Sequence, residues 1–343
     1  MKKPAMFTDI HWGAKGNSVL HNQDCLDYID WFSSQTVSNQ CDSIIFMGDW
    51  FENRNSINVA TLNASFDGLS KLDRLNLPIY FCVGNHDLFH RSTRQQFSTY
   101  HFSQFKNVIL INEAKFVDKF AFFPFLFNEE YPAMAEGIIK HKSKFVFGHF
   151  EFRNFIVTGS DRRIEHGPDH KQFAGPEYIF SGHFHKRQAS DNIVYIGNTF
   201  PTNYGDAWDD ARGMCILDVE TSDVDFIDWE DCPKYRKVKL SDILDGKVPD
   251  FPTKCRVRCL LDVEISYMDA QTLKDEMVKL FSLREFALEE NTAERKDAIA
   301  GEEVLENFDL SSLNDAVIKM LQTGLTNASS IESKRLVEIY QNL

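Results

Sequence analysis

Residues 81–89 read FCVGNHDLF. A short apolar, β-branched run ends in a glycine, and Asn85, His86 and Asp87 follow without a spacer. Taken alone, such a stretch is an ordinary polar turn, because Asn and Asp bond nearby backbone and tolerate left-handed conformations. The rest of the chain repeats the pattern. FTDIHWG (7–13) presents Asp9 and His11; FMGDWF (46–51) presents Asp49; VFGHF (146–150) presents His149; FSGHFH (180–185) presents His183 and His185. Five times a hydrophobic run stops and a metal-capable side chain follows.

The runs alternate with helical stretches over the first two thirds of the chain. PAMFTDIHW, CDSIIFMGDWF, LPIYFCVGNHD, NVILIN, FAFFPFLF, SKFVFGHF, PEYIFSGHFH, NIVYIGN, GMCILDV and DVDFIDW are short, β-rich and bounded by Gly, Pro, Asn or Asp. Between the second and third, Val59, Leu62, Phe66, Leu69, Leu72 and Leu75 keep helical spacing. The expected fold class is α/β, a layered α/β sandwich with mixed sheets, because the last strands follow one another without helices. Ligands gather beyond the carboxyl ends of strands in open α/β sheets, so the five ends can converge on one site. The alternation in HFH and DIH is expected to put His183 with His185, and Asp9 with His11, on one side of an extended segment.

Composition narrows the class. The chain has 343 residues, 43% apolar and 26% charged, with 30 Phe. No apolar run approaches the roughly 18 residues of a membrane span. No apolar stretch of signal-peptide length follows Lys2 and Lys3, so a cytoplasmic protein is expected. Seven cysteines without a CxxC pair read as reduced, mostly buried thiols. The net charge of −14 argues weakly against nucleic acid, but 12 acidic and 5 basic residues between Glu285 and Leu343 give a net of −7 there, half of the net charge. Bound divalent cations would offset more of it.

The character changes after residue 231. DCPKYRKVKL (231–240) reads as a polar link. KCRVRCLLDVEIS reads as a strand and AQTLKDEMVKLFSL as a helix with Leu273, Met277, Leu280 and Phe281 on one face. The expected organisation is a main domain over 1–230, a small α+β domain over 235–285, a flexible acidic linker over 286–309 and two amphipathic helices within 310–343. In the first, Leu310, Leu313, Val317, Met320, Leu321 and Leu325 share a face; in the second, Ile331, Leu336, Ile339, Tyr340 and Leu343 do. Helices this short are marginal alone in water, so the pair is expected to dock on another protein.

Imidazole, carboxylate and amide oxygens with no thiolate suit manganese, iron, zinc or magnesium-like ions. The ordered set D-x-H (9–11), G-D (48–49), G-N-H-D (84–87), G-H (148–149) and G-H-x-H (182–185) resembles the calcineurin-like metallophosphoesterase superfamily. Within it, the set is similar to the SbcD-type double-strand-break nucleases, most closely their phage versions, the recombination endonuclease or exonuclease subunits. The motifs span about residues 5 to 220; the later part matches in layout only. The resemblance implies two divalent ions, manganese first and magnesium as the alternative. One is held by Asp9, His11 and His185, the other by Asn85, His149 and His183, with Asp49 shared. It implies His86 as the acid or charge stabiliser, oriented by Asp87. It also implies a DNA exonuclease and endonuclease acting in recombination, repair and replication, in host cytoplasm if phage-encoded. The implied partner is an SbcC-type coiled-coil ATPase bound through residues 310–343, and a homodimer is compatible. One departure stands out: cellular relatives usually carry a histidine shortly after G-D, where this chain has Glu52.

Basic side chains expected to line a DNA cleft are His90, Arg91, Arg94, Arg162, Arg163, Lys186 and Arg187. Two rival readings share the fold: a phosphatase or phosphodiesterase for small molecules, and a non-catalytic scaffold. The additional domain and linker speak against the first, and the complete ligand set against the second.

Overall fold

A computed structural model of the chain describes residues 1–157 and 162–290. The alternation read from the sequence becomes two six-stranded sheets. The first runs β12 (Val224–Asp228), β11 (Gly213–Leu217), β1 (Pro4–Phe7), β2 (Ser43–Met47), β3 (Ile79–Cys82), β4 (Val108–Ile111). Here β1 to β4 are parallel, while β11 and β12 join antiparallel. The second runs β5 (Lys115–Val117), β6 (Phe120–Phe122), β7 (Phe145–His149), β8 (Tyr178–Gly182), β10 (Ile193–Tyr195), β9 (Gln188–Ser190), with only the edge strands β5 and β9 antiparallel. The mixed-sheet expectation holds.

Side-chain alternation builds three apolar layers from these strands. Met6, Ile45, Met47 and Cys82 meet Phe120, Phe122, Phe145, Phe147 and Phe180 between the sheets. Phe147 stacks on Phe180 at 5.5 Å and on Phe122 at 5.3 Å, which gives much of the high Phe content its place. The opposite faces pack on helices. Phe7, Ile44, Phe46 and Phe81 meet Tyr28, Ile29, Phe32, Leu69 and Leu72 of α2 (Val19–Ser38) and α3 (Val59–Asp73), which follow a single kinked turn, α1 (Ala14–Asn17). Ala121, Val146 and Ile179 meet Tyr131, Met134 and Ile138 of α4 (Tyr131–His141). Both sheets are buried on both faces, as parallel strands require.

Helices α2 and α4 are absent from the sequence reading. In α2 the inward stripe includes His21, Asn22 and Asp24, buried polar residues that blur the apolar period. Residues 231–240 are not a link: Lys234–Lys239 form β13, parallel to β14 (Cys255–Leu261), which pairs with β15 (Glu285–Glu290). The strand carries charge because its charge is neutralised at long range, with Arg236 paired to Asp210. Residues 286–290, read as the start of a linker, are strand β15; the remainder of that linker and the helices expected within 310–343 lie outside the described residues. Helices α5 (Leu240–Leu244) and α6 (Tyr267–Phe281) cover one face of this third sheet through Leu240, Val257, Met277 and Phe286. Residues Met1–Glu290 form one compact unit. Arg284 holds Asp24 of α2 through two bonds of 2.7 and 2.8 Å, and Lys254 reaches Asp27 at 3.1 Å. All seven cysteines are buried and free, as expected. Among the described residues no helix is long and apolar enough to cross a membrane.

Candidate metal centre

The carboxyl ends of β1, β2, β3, β7 and β8 meet at one edge of the sandwich. The segments after β1 and β2 run on side by side: Asp9 N–H donates to Gly48 O (2.9 Å), His11 N–H to Asp49 O (3.2 Å) and Trp12 N–H to Trp50 O (2.8 Å). Buried Trp12, Trp50 and Phe51 anchor this pair in the first core. Gly84 lies against the second segment so closely that a Cβ there would overlap the Asp49 amide and carboxylate.

The pleat is not what aims the ligand-type side chains. Asp9 (φ 53°), His11 (φ 52°), Asp49 (φ 60°) and His183 (φ 88°) are left-handed. The expectation that DIH and HFH are extended, with side chains paired by alternation, is therefore corrected: each residue turns individually into the cleft. Non-glycine residues in this region carry strain of about 1–3 kcal/mol each, tolerated where surrounding structure enforces it.

All eight expected residues come together. His11 Nε2 lies 3.1 Å from His185 Nε2, and Asp9 Oδ1 lies 3.8 and 3.7 Å from those two atoms. On the other side, Asn85 Oδ1 lies 2.8 Å from His149 Nε2 and 3.0 Å from His183 Nδ1. Asp49 Oδ2 stands between the groups, 3.3 Å from His149 Nε2 and 3.9 Å from His11 Nε2. Atoms about 2.1 Å from one ion lie roughly 3–3.4 Å apart; the His11–His185 and Asn85–His183 pairs have that spacing, and Asp9 Oδ1 stands slightly farther out. The other carboxylate oxygens are held by protein: Asp9 Oδ2 accepts from Thr8 Oγ1 (2.6 Å) and His183 N–H (3.1 Å), and Asp49 Oδ1 from His86 N–H (2.8 Å).

The donor set fits cations. His149 Nδ1–H donates to Met47 O at 2.7 Å, so neutral His149 turns a lone pair on Nε2 toward two acceptors, Asn85 Oδ1 and Asp49 Oδ2. Only a proton or a metal ion makes that arrangement attractive. The electrostatics agree. Burial alone would lower the His149 pKa, but the charge and hydrogen bond of Asp49, with Asp9 and the Met47 carbonyl, raise it to about 9. For His11, burial is likewise outweighed by Asp9 and Glu52. Burial would raise Asp49, yet His149, His86 and His11 hold it well below the carboxylate range. Burial and the neighbouring His149 push His183 down to about 3, and burial with His11 lowers His185, which favours the neutral, lone-pair-bearing form of both rings.

His86 Nδ1 lies 2.8 Å from the main-chain oxygen of Glu52, and its ring meets that of His11 edge-on at 5.0 Å. Asp87 does not orient His86, contrary to expectation. It is fully buried and accepts from Trp50 N–H (3.0 Å), Phe51 N–H (3.2 Å) and Gly84 N–H (2.9 Å), stapling the two loops. Burial, then the charge of Asp49, lifts its pKa to about 7.

Two contributions were not assigned from the sequence: Glu52 stood out there as a departure without a role, and Glu151 was not singled out. Glu52 Oε2 lies 2.8 Å from His11 Nδ1, and Glu52 joins His11 and His86 in one cluster of ligand atoms. Glu151 reaches the outer nitrogen of His183 at 3.9 Å and pairs with His166 at 2.7 Å. The only signal for either was a carboxylate two or three positions beyond a motif. The expected DNA contacts divide. His90 and Arg91 are exposed, as is Arg162, and Lys186 is half-buried. Arg94 is committed to Glu130 and the Phe125 carbonyl, Arg187 to Asp228 (2.8 Å) and the Phe226 ring, and Arg163 donates to Asn154 O.

The chain is similar to exonuclease subunit 1 of Enterobacteria phage T4, 26% identical over 224 residues, which are 64% of this chain and 65% of that protein. Among solved structures, a dimetal phosphatase from Danio rerio aligns with a TM-score of 0.41 and 9% identity, covering 64% of this chain and 92% of that one. The calcineurin-like phosphoesterase family model matches residues 3–187, the stretch that supplies every strand end of the cluster, and the chain belongs to that family.

Proposed function

We propose that the chain is the nuclease subunit of a DNA-processing complex, hydrolysing phosphodiesters with two divalent ions, manganese first. The observation that carries the reading is the pair of ligand-sized groups sharing Asp49 Oδ2. Asp9, His11 and His185 hold one ion; Asn85, His149 and His183 hold the other. When bound, such ions polarise the phosphoryl oxygens and supply a water nucleophile of lowered pKa.

The protein does the rest. As an imidazolium, His86 keeps its Nδ1–H on the Glu52 carbonyl and turns its Nε2–H to the cleft. As the phosphorus–oxygen bond to the leaving sugar oxygen breaks and one to the water oxygen forms, that proton passes to the leaving oxygen. General acid help of this kind contributes about 10²–10⁴-fold. Exposed His90 and Arg91, just beyond the His86 loop, contact DNA phosphates. An exonuclease activity and a subunit role are supported by the similarity to exonuclease subunit 1 of phage T4. The partner in this reading is an SbcC-type ATPase, bound through residues 310–343.

The test is an assay of the full chain with Mn²⁺ on linear duplex, circular single-stranded DNA and bis(p-nitrophenyl) phosphate. Chelator-sensitive DNA cleavage is expected. Hydrolysis of the small ester with no attack on any DNA would replace the nuclease reading by a small-molecule phosphodiesterase. Co-purification with the ATPase, lost in a chain ending at residue 300, tests the partner.

A further inference from the structure

Glu52 is tied to the site at three points. Its N–H donates to Trp12 O at 3.0 Å, extending the paired segments that carry His11 and Asp49. Its carboxylate returns to His11 Nδ1 at 2.8 Å. Its carbonyl faces His86 Nδ1 at 2.8 Å. The flanking Phe51 is fully buried, so the main chain at 52 is anchored from below, whereas the Glu52 side chain is 39% exposed and stands at the cleft wall.

With a Glu52 carboxylate oxygen 2.8 Å from Nδ1, the negative charge favours the His11 tautomer that carries its proton there, although the N–H is not aligned on that oxygen as a hydrogen bond. Nε2 then carries the lone pair and points at the space shared with His185 Nε2 and Asp9 Oδ1. A carboxylate behind a ligating imidazole also makes that ligand more basic, and loss of such a partner typically costs 10–100-fold in metal affinity. His149 has a neutral carbonyl, Met47 O, in the equivalent place. The two rings are therefore supported unequally: a charged carboxylate behind His11, a neutral carbonyl behind His149.

We propose that Glu52 is a positioning residue that sets the metal affinity of the Asp9–His11–His185 group through its carboxylate and the direction of His86 through its main-chain carbonyl. The inference rests on the proposed two-metal reading. It separates two functions within one residue: the side chain governs ion retention, and the backbone governs the acid. Substitution of the side chain should therefore spare His86.

The test is Mn²⁺ titration of the full-length wild type, Glu52→Gln and Glu52→Ala by calorimetry, with melting temperature in chelator as the control for folding. Glu52→Gln keeps the shape and an acceptor oxygen but removes the charge. Wild type should bind two ions. In both variants one ion should weaken by about 10–100-fold, Ala at least as much as Gln, while the other is unchanged. Hydrolysis by Glu52→Gln should return to within a few-fold of wild type at saturating Mn²⁺, which a failed acid would not show. Wild-type affinity for both ions in both variants would overturn the inference alone. So would a third ion in wild type that disappears in Glu52→Gln, which would make Glu52 a ligand with His11 and His86. A wild-type chain that binds no Mn²⁺ would remove the two-metal reading, and this inference with it.

Discussion

The Nε2 atoms of His11 and His185 stand 3.1 Å apart, although 174 positions separate the two residues in the chain. Asp9 Oδ1 faces both rings, 3.8 and 3.7 Å away. A shared proton or a shared ion must sit between them. Ion binding to the folded state alone should stabilise it by about 2.7 kcal/mol per ion at a hundred times Kd. We expect the melting temperature to rise by roughly 2–4 °C per kcal/mol when Mn²⁺ replaces chelator. Calorimetric scans in the two buffers check this; identical midpoints would mean that the cluster takes no ion.

The metal-free protein should weaken on the alkaline side. His149 rises from 6.5 to about 9 on folding, and His11 shifts in the same direction. A raised pKa means that folding takes up protons. The stabilisation is complete below pH 6.5 and is lost as pH climbs through about 9. The depressed His183 changes nothing in that window, because its effect is lost only on the acid side. Denaturant midpoints in chelator should fall between pH 6.5 and 9, and Mn²⁺ should flatten the slope by replacing the protons.

His86→Asn should keep both ions and lose about 10²–10⁴-fold in hydrolysis. His86 is the one imidazole of the set to which the proposed two-metal reading gives no ligand role, and its Nδ1 faces the main-chain oxygen of Glu52. Manganese stoichiometry and turnover, measured on the same preparation, separate the roles. Loss of an ion would make His86 a ligand.

Gly84→Ala should disrupt the centre without touching a ligand. The added methyl would collide with the Asp49 amide and carboxylate, both held by neighbouring backbone. A cost of about 3 kcal/mol or more is expected from such overpacking. Urea unfolding together with metal titration would register both losses.

Arg91 and Arg94 are three residues apart and should behave differently. Arg94 bridges Glu130 and the Phe125 carbonyl, so Arg94→Ala should cost roughly 1–2 kcal/mol of stability. Exposed Arg91 should be dispensable for folding, and Arg91→Ala should weaken DNA binding and reduce its salt slope by about one. Filter binding across a salt series, beside thermal melts, distinguishes the two; equal salt slopes for wild type and Arg91→Ala would place the phosphate contacts elsewhere.

The strand ends were legible in the sequence because the signal is local. A buried apolar run, a glycine and a polar ligand-type residue lie within five positions of one another, as at 81–86. That pattern dictates where a strand stops and which side chain stands at its mouth; it occurs at four of the five ends, the Asp9–His11 end lacking the glycine, and together the five imply one edge of one sandwich. Alternation within Phe120–Phe122 and Phe145–His149 likewise marked the layers. What the sequence did not carry depends on partners far away in the chain. The basic strand Lys234–Lys239 is stable beside Asp210; Arg94 and Arg187 are withdrawn from the candidate DNA face by Glu130 and Asp228; buried Asp24 on α2 answers to Arg284. Asp87, next to His86 in sequence, turns away to three backbone amides, whereas Glu52, 34 positions earlier, faces it. Periodicity records which face a residue presents, but the direction of a ring nitrogen or the pairing of a charge is settled by whichever group the fold brings within 3 Å, and only the tertiary structure decides that.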